Sequence, residues 1–176
     1  MAASSQPDLR AYVRDVPDFP SPGIVFKDIT PLLRDAAALR RAVRSLAELA
    51  EPLKPEVVIA AEARGFILGA ALALELGVGF IPARKPGKLP HQKLTVEYAL
   101  EYGTDALEVH GDALTHTTRA LVHDDLLATG GTASALCRLV EGSGAEVAGC
   151  NFLIELGFLG GRERLAPYPV TALIEY

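Results

Sequence analysis

Two adjacent carboxylates followed by a turn of small residues carry the clearest chemistry in this sequence: Leu121-Val122-His123-Asp124-Asp125-Leu126-Leu127-Ala128-Thr129-Gly130-Gly131-Thr132. The apolar residues before Asp124 and Asp125 read as a strand, and Ala128, Thr129, Gly130, Gly131 and Thr132 as the loop that opens a helix. Glycines let the backbone approach an anion closely. The unpaired N–H groups of a first helical turn point at such an anion, and Thr129 and Thr132 add hydroxyl donors. A ribose phosphate needs donors for its 5-phosphate beside acceptors for its 2- and 3-hydroxyls, and this stretch supplies both in one turn. No Lys follows the glycines, so it is not a P-loop, and it lacks the GxGxxG spacing of a dinucleotide fingerprint. The competing reading is a Gly-rich turn with Thr132 capping the helix and both aspartates solvated. Two acids side by side on an apolar strand weigh against it.

A second segment, Phe19-Pro20-Ser21-Pro22-Gly23-Ile24-Val25-Phe26-Lys27-Asp28-Ile29-Thr30-Pro31, is too rigid and too apolar for a spacer. Its prolines fix the backbone, and Val25 and Phe26 offer a flat apolar surface that suits a heteroaromatic ring. A structured arm packed on the core is the plainer alternative.

Positioning these residues requires ordered elements, and hydrophobic spacing supplies them. Leu39, Ala42, Val43, Leu46, Leu49 and Ala50 predict an amphipathic helix over Asp35–Glu51, with Asp35 as cap and Pro52 as stop. A shorter helix is predicted over Pro7–Asp15. Glu56–Ala61 and Gly79–Arg84 read as buried strands flanking an apolar helix, Phe66–Leu76, closed by Gly77. Lys85–Asp112 has the pattern of a mobile loop or hairpin. Thr118–His123 is a third strand, followed through the Gly-Gly-Thr turn by a helix to about Gly142, and Glu146–Glu155 and Val170–Ile174 are the last two strands. Strands alternating with helices predict an α/β fold, a Rossmann-like, mostly parallel sheet with helices on both faces. In such sheets ligands sit beyond the carboxyl ends of the strands.

Composition bounds the rest. Of 176 residues, 49% are hydrophobic and 22% charged, which suits one domain with a full core. The arm and hood would occupy 1–34 and the flexible loop or hairpin 85–112. Lys and Arg total 17 against 22 Asp and Glu, a net charge of -5, so neither a nucleic-acid surface nor an anionic membrane surface is expected. No apolar run is long enough to cross a membrane, the first residues carry no leader pattern, and Cys137 and Cys150 read as reduced core residues. A cytoplasmic protein is expected.

The stretch from Leu121 to Thr132 closely resembles the phosphoribosyl-pyrophosphate (PRPP) signature of type I phosphoribosyltransferases. Together with Glu62-Ala63-Arg64-Gly65-Phe66, Arg84-Lys85-Pro86-Gly87-Lys88-Leu89-Pro90 and Leu100-Glu101-Tyr102-Gly103-Thr104-Asp105, the chain from about Asp18 to Glu175 resembles the adenine phosphoribosyltransferase family. His123 stands where another aliphatic residue is common, and a neutral His packed behind the loop explains it. Lys27 stands where many members carry Arg.

The resemblance implies a small N-terminal hood and a flexible loop added to the fold, with Val25, Phe26 and Lys27 covering adenine and Leu159 packing its other face. It implies ribose and 5-phosphate contacts at Asp124, Asp125, Ala128, Thr129, Gly130, Gly131 and Thr132, and pyrophosphate contacts at Arg64, Arg84, Lys85, Lys88 and Tyr102. The planar fork of Arg64 suits two phosphate oxygens, against a bland surface salt bridge. Arg84, Lys85, Lys88 and Lys93 put four cations into ten residues. A solvated loop is the default for such a run, and its place opposite a phosphate cradle favours pyrophosphate.

Glu101 is the implied acid/base residue, Mg2+ the implied cofactor, bound mainly through PRPP, and a homodimer the implied assembly. Adenine, PRPP, AMP and pyrophosphate are the expected partners. Two rivals stand beside this purine-salvage reading: a phosphoribosyltransferase for a 6-oxopurine, pyrimidine or orotate, and a PRPP-binding regulator without turnover. A Rossmann-like small-molecule binder would leave the basic loop and Glu101 unexplained.

Overall fold

The computed structural model describes residues 8–99 and 104–176, and the chain divides into two compact units between Val43 and Arg44. In the first, Asp8 Oδ1 accepts the Arg10 N–H at 3.0 Å and starts a single 3-10 turn, Leu9–Tyr12. Strand β1 (Arg14–Pro17) then pairs antiparallel with β2 (Val25–Asp28), Val16 opposite Phe26. The helix predicted over Pro7–Asp15 is therefore one turn and a strand. Antiparallel pairing with β2 explains the difference, and Arg14 Nε, 3.1 Å from Asp28 Oδ2, and Lys27 Nζ, 2.7 Å from Asp15 Oδ1, add cross-strand contacts that no local periodicity reveals. The Pro-rich segment thus contributes a strand and a short helix, α1 (Thr30–Arg34). Helix α2 (Ala36–Ala50) begins as the sequence predicts, with Asp35 Oδ1 accepting the N–H groups of Ala37 and Ala38 at 2.9 Å.

The second unit is built on a five-stranded sheet. Its strands β3 (Val57–Ala61), β4 (Gly79–Ala83), β7 (Arg119–Leu127), β8 (Glu146–Glu155) and β9 (Val170–Glu175) lie in the order β4-β3-β7-β8-β9, and every pairing is parallel. Helix α3 (Arg64–Leu76) covers one face, where Leu72 and Ala73 pack with Leu46, Ala47 and Ala50 of α2 on Val58 and Leu121. Helix α4 (Gly131–Gly142) covers the other, where Leu136, Leu139 and Val140 pack with Ile59, Val122 and Phe152. This is the α/β architecture with helices on both faces that the sequence predicts. Val58 and Ile59 on β3, and Leu121 and Val122 on β7, alternate between the two cores, as a strand buried on both sides requires.

Two further strands, β5 (Lys93–Ala99) and β6 (Thr104–His110), form an antiparallel hairpin within the segment expected as a loop or hairpin. Buried Glu108 ties it to the preceding segment by accepting the Gly87 N–H at 3.1 Å, and it also receives Lys93 Nζ of β5 at 2.8 Å. A short helix, α5 (Gly161–Arg164), precedes β9. Among the described residues no helix is long and apolar enough to cross a membrane.

Candidate active site

Strand order reverses between β3 and β7: the chain leaves β3 through α3 towards β4 and leaves β7 through α4 towards β8. At such a switch point the two connecting loops part and open a crevice beyond the strand ends. A cavity of about 330 Å3 lies there, lined by Ala61, Glu62, Ala63, Arg64, Lys85, Tyr98, Asp105, Leu107, Asp124, Asp125 and Thr132. Segments far apart in the sequence meet in it.

Asp124 and Asp125 stand on β7 itself, which runs on to Leu127 and not to His123 as predicted, because β8 keeps pairing with it, Asp124 opposite Phe152 and Leu127 opposite Glu155. Charged residues are tolerated on this central strand because they lie at its open end. Asp125, 5% exposed, receives Arg64 Nε at 2.6 Å. Burial and the neighbouring Asp125 charge hold the Asp124 carboxyl well above the ordinary carboxylate range. Arg64 is thus placed in the cavity wall, joined to an acid of the same site.

The cradle itself follows β7. Gly130 has φ +78° and precedes α4, and a Cβ there would lie 2.8 Å from the carbonyl oxygen of Gly161. A Cβ on Gly161 would collide with the carbonyl oxygen of Ala128. The turn Ala128–Gly131 is therefore clamped against the start of α5 by two glycines, and Thr132 in the first turn of α4 faces the cavity.

The basic residues divide. Glu62 Oε1 accepts the Lys85 N–H at 2.7 Å and Arg84 Nε at 3.1 Å, and these bonds, the Lys85 N–H foremost, pull its carboxyl below the usual range. Lys85 reaches the cavity, where its ammonium lies 3.1 Å from Asp105 Oδ2. Arg84 instead lies over the Phe66 ring, 5.9 Å from its centroid, and Lys88 is exposed outside the cavity wall. Lys93 is committed to Glu108.

Val25, Phe26 and Lys27 lie on or at the start of β2 in the first unit, with Lys27 paired to Asp15. Leu159 closes a 3-10 turn, Gly157–Leu159, in the second, beside Phe158, which is 76% exposed. Glu101 and Tyr102 lie outside the described residues. His123 is fully buried, as expected of a residue behind the loop.

Glu62, Tyr98, Asp105 and Leu107 line the cavity without having been singled out as site residues. Tyr98 and Asp105 face each other across the hairpin, a relation that β-pairing creates and spacing along the chain conceals. Glu62 is one residue beyond β3 and two before Arg64, so its strand-end position was the available signal.

The cavity holds four acids, Glu62, Asp105, Asp124 and Asp125, against two bases, Arg64 and Lys85. A polyphosphate entering it meets excess negative charge. A divalent cation that keeps its waters and takes one or two carboxylates plus ligand oxygens fits that donor set, whereas a dedicated protein cage would need three or more converging side chains. Among the described residues no such group converges.

The phosphoribosyl transferase domain family matches residues 28–167. An adenine phosphoribosyltransferase of Rubrobacter xylanophilus is 60% identical over 169 residues, 96% of this chain and 91% of that protein. The crystal structure of an adenine phosphoribosyltransferase from Thermoanaerobacter pseudethanolicus superposes with a TM-score of 0.93 at 51% identity, covering 96% of this chain and 98% of that one. The Saccharomyces cerevisiae enzyme, complexed with an imino-altritol bisphosphate and adenine, superposes at 0.88 with 38% identity over 94% of this chain and 96% of its own. The chain belongs to the phosphoribosyl transferase family, among its adenine phosphoribosyltransferases.

Proposed function

We propose that this chain transfers the 5-phosphoribosyl group of PRPP to N9 of adenine, giving AMP and pyrophosphate, as a cytoplasmic enzyme of purine salvage. One observation carries the reading: the paired acids, Thr132 of the first turn of α4, Arg64 and Lys85 all line a single cavity. Hydroxyl acceptors, phosphate donors and cations thus surround one space at the switch point of the sheet. The relatives' names favour adenine over a 6-oxopurine, a pyrimidine or orotate, and a transferase over a regulator.

In this reading Asp124 and Asp125 accept the ribose hydroxyls, and Ala128, Thr129, Gly130, Gly131 and Thr132 hold the 5-phosphate. Arg64 and Lys85 take the pyrophosphate, with Arg84, Lys88 and Tyr102 assigned to it by resemblance. Val25, Phe26 and Lys27 are assigned to one face of adenine and Leu159 to the other. The C1–O bond to pyrophosphate breaks as the N9–C1 bond forms, with breaking ahead, so positive charge gathers on the sugar and negative charge on the leaving group. Mg2+ supplies neutralisation of the pyrophosphate oxygens when bound. Glu101 holds or exchanges the proton at N7 while N9 attacks.

The match over residues 28–167 spans both compact units, which supports one phosphoribosyltransferase domain; the hood over 1–34 and the loop over 85–112 belong to the proposal by resemblance. A homodimer belongs to the proposal, and exposed apolar residues such as Ile67 and Leu74, 49% and 83% exposed two turns apart on α3, are compatible with it. The test is AMP formation from PRPP and adenine. Turnover should require Mg2+ and stop on chelation; no AMP under saturating PRPP, adenine and Mg2+ would overturn the assignment.

A further inference from the structure

Lys85 meets a competitor inside its own cavity. Its ammonium lies 3.1 Å from Asp105 Oδ2, and the two side chains are unequally enclosed, 57% exposed for Lys85 and 22% for Asp105. Asp105 is held in place. Its Oδ1 accepts the Ala106 N–H at 2.9 Å, and the hydroxyl of buried Tyr98, directly opposite on β5, stands 3.5 Å from Oδ2. Lys85 is anchored through its backbone N–H on Glu62, while its flexible four-carbon stem leaves the ammonium able to swing. A fixed carboxylate and any anion in the cavity therefore contend for one mobile cation.

We propose that Asp105 is a positioning residue that sets the affinity for pyrophosphate by competing with it for Lys85. Arriving pyrophosphate takes the ammonium from Asp105, and Asp105 recovers it as pyrophosphate leaves. The inference rests on the assignment of Lys85 to pyrophosphate made above. Asp105 suits this role better than the other acids of the cavity. Asp125 is tied to Arg64, Glu62 is occupied by the Lys85 backbone and Arg84, and Asp124 Oδ1 accepts the Asp125 N–H at 2.9 Å. The exchange also sits at one end of the hairpin, because Tyr98 and Asp105 form the rung next to Ala99 and Thr104, the last paired residues of the two strands.

Asp105→Asn keeps the side chain's shape and an acceptor for Ala106 while removing the charge. An ion pair with a half-exposed lysine is weak, so pyrophosphate should bind about two- to five-fold tighter in the variant. Calorimetry with magnesium pyrophosphate at low salt, on wild type, Asp105→Asn, Lys85→Met and the double variant, reads this directly. Three further results are expected: Lys85→Met binds pyrophosphate more weakly than wild type, Asp105→Asn adds nothing in the Lys85→Met background, and Asp105→Glu restores wild-type affinity. AMP affinity should be unchanged in Asp105→Asn, which separates competition at Lys85 from general damage. Should Asp105→Asn not fold, Asp105→Ser removes the same charge and should tighten pyrophosphate in the same direction. Unchanged or weaker pyrophosphate binding in a folded Asp105→Asn protein, or tightening that persists in the Lys85→Met background, overturns the inference and leaves the enzymatic reading intact. A wild-type protein that binds neither PRPP nor pyrophosphate overturns that reading and the inference with it.

Discussion

His123 makes this fold acid-sensitive, and the structure gives the size of the effect. Its neighbour Asn151 donates through Nδ2 to the Leu46 carbonyl at 3.3 Å and to Thr171 Oγ1 at 3.0 Å, so its Oδ1 faces His123 Nδ1 at 3.1 Å. Nδ1 must therefore donate, and Nε2 is left as a bare acceptor in the core with no partner among the described residues. Protonating Nε2 would bury a cationic N–H with nothing to receive it. Burial accordingly pushes the imidazole pKa down from 6.5 to about 4.

The unfolded chain thus takes up a proton that the folded chain refuses, and stability that is complete above pH 6.5 drains away as pH falls towards 4. Between about pH 7.5 and about pH 4.5 the loss from this one group is about 2–3 kcal/mol, or roughly 5–10 °C in Tm for a chain of this size. His123→Val removes the titration at the cost of stranding Asn151 Oδ1, an offset that does not change with pH. Urea melts of wild type and His123→Val at both pH values isolate the histidine, since the carboxylates are common to both proteins. The wild type should lose about 2–3 kcal/mol more than the variant on acidification. Parallel losses would refute the argument.

Three further outcomes bear on the site. Glu101→Gln cannot exchange a proton at N7, so kcat should fall about 100-fold or more with PRPP affinity little changed, as single-turnover kinetics and calorimetry would show. Gly161→Ala drives a Cβ into the Ala128 carbonyl. It should raise KM for PRPP and lower Tm together, whereas a wild-type KM would separate the clamp from the cradle. Replacing Asp124 and Asp125 together by Asn should weaken PRPP binding in a folded protein, measured by calorimetry with circular dichroism as the control.

The legible part of this structure was local. β3, α3, β4, α4 and β8 match their predicted ranges to within two residues, because buried strands and amphipathic helices write their own periodicity into the chain. The Pro7–Asp15 helix failed where pairing with β2 decided the backbone, and β7 outran its prediction because a partner strand, not its own composition, extends it past two acids. The site shows the same division. Asp124, Asp125 and the glycines announce themselves by type and spacing, while Asp105 and Tyr98 become site residues only when a hairpin folds them over the strand ends. That Arg64 lies on Asp125 and Arg84 on Phe66 is likewise a consequence of tertiary approach between segments separated by 61 and 18 residues.

Base selectivity tests the central claim most directly. With PRPP and Mg2+ fixed, kcat/KM is measured for adenine, hypoxanthine, guanine, uracil and orotate on the same enzyme. A site arranged around an exocyclic amine leaves buried polar groups unpaired when an oxo group replaces it, so adenine should be preferred by about 1,000-fold or more. Comparable turnover of hypoxanthine or guanine, or a pyrimidine substrate used as well as adenine, would contradict the account.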